Sequence, residues 1–63
     1  AMYERKRLAI DKLASFVARH GIYFEEKLRN QHSDDERYSF LYEGGVGYDY
    51  YRQRLADLKA ENA

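Results

Sequence analysis

Gly21 separates two stretches of helical periodicity that follow one another without a linker. Residues 14–20, with the sequence ASFVARH, lead up to this glycine, and residues 22–25, with the sequence IYFE, follow it at once. Glycine is the residue that most readily adopts the left-handed backbone conformation at which helices end. The sequence therefore predicts two helices joined at a tight corner, an arrangement that is a scaffold rather than a reaction centre.

The length and the cysteine content limit what such a chain can be. Sixty-three residues form one domain at most, near the lower limit for a fold without disulfide or metal. The chain has no cysteine, which excludes disulfide frameworks, thiolate zinc sites and thiol nucleophiles. No segment approaches the ~20 apolar residues that cross a bilayer, so no membrane partner is expected. We predict one domain spanning residues 1–63, in which Ala1 and Met2 resemble a cloning remnant, and we expect this domain to be a module of a longer protein.

The charge balance argues against direct binding to nucleic acid. Eleven Lys and Arg residues balance eleven Asp and Glu residues. A domain that grips a phosphate backbone usually carries a clear excess of basic residues on one face. We therefore expect any link to RNA to be indirect, through the parent protein or its complex.

Helical periodicity predicts three helices. The first runs from about Glu4 to His20 and the second from Ile22 to about Gln31, with Glu25 placed to pair with Arg29 on the charged outer face. A flexible glycine-rich connection at residues 44–47 precedes the third helix. The apolar positions of the third helix share one face: Tyr48, Tyr51, Leu55 and Leu58.

The segment between the second and third helices carries a helix-start signal. Ser33 and Glu36 form the S-x-x-E pattern of a capping box. The pattern predicts a short helical or 3₁₀ turn carrying Tyr38, Phe40 and Leu41, which would close the open side of the helix pair. The predicted fold class is thus all-α, a small three-helix domain with a short 3₁₀ turn. Its predicted core comprises Phe16, Val17, Phe24, Leu28, Phe40, Leu41, Tyr51 and Leu55.

No constellation in the sequence supports catalysis or metal binding, so we predict no catalytic residue, no metal site and no cofactor. His20 and His32 are the only imidazoles, and a zinc site needs about three or four converging ligands. We interpret His20 as a helix-end residue and His32 as a solvated loop residue. Neither Ser15 nor Ser39 lies in a nucleophile motif, and the chain is not expected to be an enzyme.

The tyrosine pair Tyr50-Tyr51 could in principle stack on nucleic-acid bases. Successive residues on a helix point about 100° apart, however, so one ring should face the core and the other its rim. Packing is the favoured interpretation.

Three separated blocks of this chain resemble the SURP domain, also called SWAP, of pre-mRNA splicing factors. The family's A-x-F-V-A-R-x-G motif is matched at residues 14–21, and its G-x-x-F-E motif at residues 21–25. Its F-L pair is matched at residues 40–41, and its Y-Y-R motif with a later leucine at residues 50–52 and 55. The matched structural positions are Phe16, Gly21, Phe24, Phe40, Leu41, Tyr51 and Leu55.

The resemblance implies a function and a surface. The resemblance implies a protein-binding module, because members of the family dock a short amphipathic helix of another splicing factor. The implied partners are the branch-point-binding splicing factor or a subunit of splicing factor 3a, and the implied location is nuclear. The implied groove borders the first helix at Leu8, Lys12 and Phe16, with Tyr23 and Lys27 as further candidates. In this family an apolar side chain at the position of Lys12 can select a particular partner.

Two other functions remain open at this point. The first is a module that binds single-stranded RNA directly, and the second is a structural helical domain that dimerises through its tyrosine-rich rim. We expect a monomeric domain. Binding to RNA would show a steep dependence on salt, and dimerisation would show in sedimentation at several concentrations.

Overall fold

The computed structural model describes residues 3–61, which form three α-helices and one 3₁₀ segment. Helix α1 spans Glu4–His20, α2 spans Ile22–Gln31, the 3₁₀ segment spans Glu36–Leu41, and α3 spans Tyr48–Glu61. These described residues contain no strand and no helix long and apolar enough to span a membrane. The all-α prediction and the order of elements are confirmed. Residues 1, 2, 62 and 63 lie outside the described part, so the interpretation of Ala1-Met2 and the limits of the domain stay predictions.

Gly21 is the single residue between α1 and α2. Its backbone has φ 89° and ψ 178°, a region that only glycine enters without strain. Its amide N–H donates to the carbonyl oxygen of Val17 at 2.8 Å, and its own carbonyl oxygen accepts from the amide of Phe24 at 3.1 Å. The same residue therefore ends one helix and begins the next, and the predicted corner is confirmed.

Each element contributes to a single hydrophobic core. The buried residues are Ile10, Ala14 and Val17 of α1, Leu28 of α2, Phe40 and Leu41 of the 3₁₀ segment, and Tyr51 and Leu55 of α3. Helix α3 packs chiefly against α1, and the 3₁₀ segment closes the side left open by the three helices. Phe24 is half-buried against this core. The prediction that Phe16 is buried is wrong, because 46% of its surface is exposed.

Glu25 departs most from its predicted role. It is 5% exposed and accepts a hydrogen bond from the Tyr51 hydroxyl at 2.7 Å. Arg52 Nη1 lies 3.3 Å from the same carboxylate oxygen, Oε1. The expected surface pair with Arg29 is therefore wrong: the Glu25 carboxylate points inward, where a phenol and a guanidinium from α3 compensate its burial. Arg29 instead lies over the ring of Tyr42, with its guanidinium carbon 4.9 Å from the ring centroid.

The two adjacent tyrosines of α3 divide as predicted. Tyr51 is fully buried, and its ring meets Phe40 edge-on at 5.4 Å between centroids. Tyr50 lies at the rim and donates a hydrogen bond to Asp11 Oδ1 at 2.7 Å. Arg54 Nε also approaches Asp11, at 3.5 Å. These contacts attach α3 to α1 outside the apolar core.

The 3₁₀ segment begins at a different cap from the predicted one. Asp35, with extended backbone, is the N-cap and accepts from the amide of Arg37 at 3.0 Å. Its side chain also accepts two hydrogen bonds from the Arg37 guanidinium, which hold the pKa of Asp35 below its ordinary value. The predicted turn is confirmed, but Ser33 is not its cap, because Asp35 lies directly before the segment. His32 caps the end of α2 and stacks on Tyr38 at 3.9 Å between ring centroids, so it is half-buried rather than solvated.

The glycine-rich connection at residues 44–47 is an ordered pair of turns. The amide of Gly45 donates to the Tyr42 carbonyl at 3.0 Å, and the amide of Tyr48 donates to the Gly45 carbonyl at 3.1 Å. A Cβ atom added to Gly45 would collide with the carbonyl oxygen of Ser39. Glycine at this position lets the connection pass directly against the end of the 3₁₀ segment, and the flexibility of the connection stays a prediction.

Burial predicts different costs for two aromatic truncations. Phe40 is 1% exposed, so Phe40→Ala is expected to lower the free energy of unfolding by about 3–5 kcal/mol. Phe16 is half-exposed, so Phe16→Ala is expected to cost about 1 kcal/mol. Thermal melts of both variants check this difference. An equal shift of the two midpoints would contradict the assignment of Phe40 to the core and Phe16 to the surface.

The Tyr51 hydroxyl predicts a loss of stability at alkaline pH. Burial raises the pKa of Tyr51, and the hydrogen bond to Glu25 and the negative charge of Glu25 raise it further. Because the pKa of Tyr51 is higher in the folded state than in the unfolded state, the protonated phenol stabilises the fold. This stabilisation is fully present below the unfolded pKa of about 10 and is lost as pH rises from there through the folded pKa. We expect the alkaline decline in unfolding free energy to be smaller in Tyr51→Phe than in wild type. The exposed Tyr23→Phe is the control, and a Tyr51→Phe profile parallel to wild type would refute the assignment.

Candidate functional site

The side of α1 that faces away from the core carries a regular row of exposed residues. Ile10, Ala14 and Val17 mark the inner side of this helix. On the opposite side, residues spaced alternately by three and four positions fall on one line. We call this line the outer ridge, and all its members are exposed: Arg5, Leu8, Lys12, Ser15 and Arg19.

Leu8 and Lys12 lie together on the outer ridge, as the sequence predicts. Both line a shallow open depression on α1 together with Ala9, Asp11 and Ser15. Leu8 is 57% exposed, although its side chain is purely apolar. An exposed leucine alone is ordinary, but one inside a depression next to other exposed apolar residues is typical of a binding surface.

Phe16 belongs to a group of three neighbouring rings at the corner of α1 and α2, in which it stacks on His20 and Phe24 while those two are tilted to each other. The centroid distances are 5.7 Å from Phe16 to His20, 5.8 Å from Phe16 to Phe24 and 5.7 Å from His20 to Phe24. We call these three residues the aromatic cluster. The corner at Gly21 brings the rings together, because it folds α2 back beside the last turn of α1.

His20 is the member of this surface that the sequence did not identify. It is the last residue of α1, as predicted, but its ring packs against the rings of both Phe16 and Phe24 instead of standing free at the helix end. The spacing of Phe16 and His20, four residues apart on one helix, is the signal that could have placed them together. Phe24 could not be added from spacing alone, because the corner interrupts the helix.

Tyr23 and Lys27 are exposed on α2. Lys27 lies three residues after Phe24, which places it on a neighbouring line of the same helix. Neither Tyr23 nor Lys27 lines the depression that contains Leu8 and Lys12. The structure therefore groups Leu8 with Lys12, places Phe16 at the adjacent corner, and leaves Tyr23 and Lys27 as separate exposed positions on α2.

Exposed apolar side chains concentrate in the first two helices. Among residues 3–61, four of the six large exposed hydrophobic residues belong to α1 or to the first two residues of α2, namely Leu8, Phe16, Ile22 and Tyr23. The other two, Tyr3 and Val46, lie before α1 and in the glycine-rich connection. We give the name docking face to the outer ridge and the aromatic cluster taken together, an apolar and basic surface that includes the exposed side of α1.

The residues with shifted pKa values belong to contacts that hold the fold, although Arg37 also lines a depression together with Arg5 of the outer ridge. Hydrogen bonding to Asp11 raises the pKa of Tyr50, at the contact of α1 with α3. The shifted groups Asp35 and Arg37 belong to the start of the 3₁₀ segment. Within residues 3–61 no three His, Asp or Glu side chains converge as metal ligands. The docking face is suited to binding through apolar contact and charge.

Comparisons with known proteins agree on one family. The sequence profile of the Surp module matches residues 2–63. The calcium homeostasis endoplasmic reticulum protein of Homo sapiens is 48% identical over 50 residues, covering 79% of this chain and 5% of that protein. The pre-mRNA-splicing factor sap114 of Schizosaccharomyces pombe is 38% identical over 53 residues, covering 84% of this chain and 11% of that protein.

A third relative extends the match along the chain. Splicing factor 3A subunit 1 of Mus musculus is 35% identical over 57 residues, covering 90% of this chain and 7% of that protein. The chain thus spans between 5% and 11% of the length of these relatives. No solved structure gives a significant match.

The positive φ of Gly21 at the corner predicts that a residue with a Cβ atom at this position lowers the stability of the domain. The space around Gly21 is open, with nothing within 4 Å of an added Cβ, so backbone strain rather than collision determines the effect. Gly21→Ala is expected to lower the free energy of unfolding by about 1–3 kcal/mol, measured by urea denaturation. D-alanine at position 21, introduced by chemical synthesis, is the control because its allowed backbone region is the mirror image. Wild-type stability in Gly21→Ala would contradict the role of the positive φ.

Proposed function

The chain belongs to the Surp module family, and we propose that it is a protein-binding module of a pre-mRNA splicing factor. Its relatives include proteins named pre-mRNA-splicing factor sap114 and splicing factor 3A subunit 1, and the domain is accordingly splicing-related. In the proposal, the docking face binds a short amphipathic helix of another splicing factor. The partner is the branch-point-binding splicing factor or a subunit of splicing factor 3a, and the domain acts in the nucleus as a non-enzymatic module.

The observation that supports this proposal is the exposure of Leu8 and Phe16 on the outer side of α1. The inner side of α1 is fully buried at Ile10, Ala14 and Val17, so the helix already contributes its structural face to the core. Leu8 and Phe16 retain 57% and 46% of their surface in solvent. Burial of apolar surface stabilises a contact by about 25 cal/mol per Å², and a partner helix is the element that can cover a helical row of side chains.

The aromatic cluster supplies a place for an apolar anchor. The rings of Phe16, His20 and Phe24 lie 5.7–5.8 Å apart between centroids, so they form a contiguous aromatic surface before any partner binds. A preformed surface loses less side-chain entropy on binding than a mobile one. Leu8 lies two turns earlier on α1, so two anchors of a partner helix about two turns apart would fit Leu8 and the cluster.

The size of the surface sets the affinity we expect. One short helix buries less than the standard interface of about 1,200–2,000 Å². A dissociation constant in the micromolar range, near −8 kcal/mol, is therefore expected. Tyr23 and Lys27 of α2 are proposed to contact the edge of the same partner helix.

A charge placed on the apolar part of the docking face tests this function. Leu8→Asp is expected to weaken the binding of a helical peptide from the branch-point-binding splicing factor or from a splicing factor 3a subunit by at least about tenfold. The reason is that it removes the apolar anchor site and places a carboxylate under apolar peptide side chains. Leu8 is exposed, so the thermal midpoint should stay close to wild type. Phe16→Ser should also weaken binding.

The matched control is Val46→Asp, since Val46 is an exposed apolar residue away from the docking face, with 64% of its surface in solvent. We expect wild-type affinity for this variant. Undiminished binding of Leu8→Asp to every peptide that wild type binds would show that α1 is not the docking element. Binding of single-stranded RNA with a steep salt dependence, or a concentration-dependent dimer that buries Tyr23, would favour the alternative functions.

A further inference from the structure

The charges of this neutral chain are segregated along its length. Helix α1 carries five basic and two acidic residues, a surplus of three positive charges. Residues 33–43, between α2 and the glycine-rich connection, carry four acidic residues and one basic residue, a surplus of three negative charges. The balanced total therefore conceals a basic first helix, and the docking face lies on that helix.

The basic residues of α1 follow a spacing that matches helix packing. Arg5, Lys12 and Arg19 are seven residues apart on the outer ridge, with Leu8 and Ser15 between them. Alternating steps of three and four residues are the spacing by which two helices pack along a common seam. At about 1.5 Å per residue, the three charges stand about 10.5 Å apart along the helix axis. A helix lying along this ridge would meet a positive charge once in every two turns.

These charges are not neutralised by the domain itself. Among residues 3–61, ion pairs engage Arg37, Arg52 and Arg54, and none involves Arg5, Lys12 or Arg19. The acidic residues of α1 are Glu4, beside Arg5, and Asp11, beside Lys12. Asp11 lines the depression with Leu8 and Lys12, but its carboxylate accepts from the Tyr50 hydroxyl at 2.7 Å and lies 3.5 Å from Arg54. Contacts with α3 therefore partly compensate the charge of Asp11, and the outer ridge keeps a net positive charge toward solvent.

From this geometry we infer that the partner is an acidic amphipathic helix, with carboxylates about seven residues apart beside its apolar anchors. The inference rests on the proposed function and adds the chemistry of the ligand. Carboxylates at that spacing lie opposite Arg5, Lys12 and Arg19, while leucine-type anchors between them cover Leu8 and the aromatic cluster. Basic partner helices are rejected by like charge at the same positions. Lys12, at the centre of the ridge, contributes most to this selection.

A helix fits the outer ridge better than RNA does. Leu8 interrupts the row of charges and would gain nothing from a phosphate. The alternation of charge with an apolar residue at helical spacing matches the side-chain pattern of an amphipathic helix.

A displayed peptide library tests the inference directly. The probe is a library of 18-residue peptides with a fixed leucine stripe at alternating three- and four-residue spacing and with Glu, Gln or Lys at each flanking position. Peptides selected on the wild-type domain are titrated individually, and the amide resonances of Leu8 and Phe16 report the binding site. We expect the selected peptides to carry Glu at seven-residue spacing.

Two charge-matched double variants separate the ridge from general electrostatics. K12Q/R19Q removes one Lys and one Arg from the outer ridge, and R7Q/K59Q removes one Lys and one Arg from exposed positions elsewhere. We expect K12Q/R19Q to weaken the binding of the selected peptides by about 3- to 10-fold. R7Q/K59Q should change it by less than about twofold. Raising the salt concentration should weaken the wild type more than K12Q/R19Q, because salt screens exposed charges.

The outcomes distinguish the two proposals. If the peptides bind at Leu8 and Phe16 but are not enriched in Glu, the inference of an acidic partner is wrong and the helix-binding function stands. The same holds if the two double variants weaken binding equally. A library from which no peptide shifts the resonances of Leu8 and Phe16 overturns both. Single-stranded oligouridine that binds more tightly than every peptide and is lost in K12Q/R19Q would make the ridge an RNA surface and overturn the inference.

Discussion

Gly21 turns the backbone with a positive φ of 89°. Both the shared core and the aromatic cluster depend on that turn. Because one residue both ends α1 and begins α2, the two helices meet at a corner without an intervening loop. Their inner sides then share the core with α3 and the 3₁₀ segment, and the last turn of α1 meets the first turn of α2 at the aromatic cluster. A longer connection would leave Phe16 and Phe24 without a fixed relation.

The small size of the domain explains why polar groups contribute to its interior. With few apolar side chains available, Tyr51 fills the centre of the core and brings a hydroxyl that needs a partner. Glu25 supplies that partner at 2.7 Å, and Arg52 approaches the same carboxylate. This contact links α2 to α3, and the contacts of Tyr50 and Arg54 with Asp11 link α1 to α3. The polar contacts therefore fix how α3 lies across the helix pair and leave the outer side of α1 uncovered.

The periodicity of the chain was sufficient to predict the elements, because helix ends were marked by Gly21 and by the glycine-rich connection. Tertiary contacts decided the rest. Glu25 has the spacing of a surface ion pair with Arg29, and only the position of Tyr51 on α3 shows that its carboxylate faces inward. Phe16 falls on the edge of the apolar stripe, where spacing cannot distinguish a core residue from a binding residue. Leu8 and Lys12 could be placed together from their spacing of four residues, whereas the relation of both to Tyr23 and Lys27 depends on the angle between α1 and α2.

The proposed function requires that a second helix lies on the outer side of α1. Intermolecular nuclear Overhauser effects between the domain and a bound helical peptide of a splicing factor test this most directly. We expect contacts from the peptide to Leu8, Lys12, Phe16 and Phe24, and none to Val46 or to the residues of α3. Contacts confined to α3 or to the 3₁₀ segment, with Leu8 and Phe16 still exposed in the complex, would contradict it.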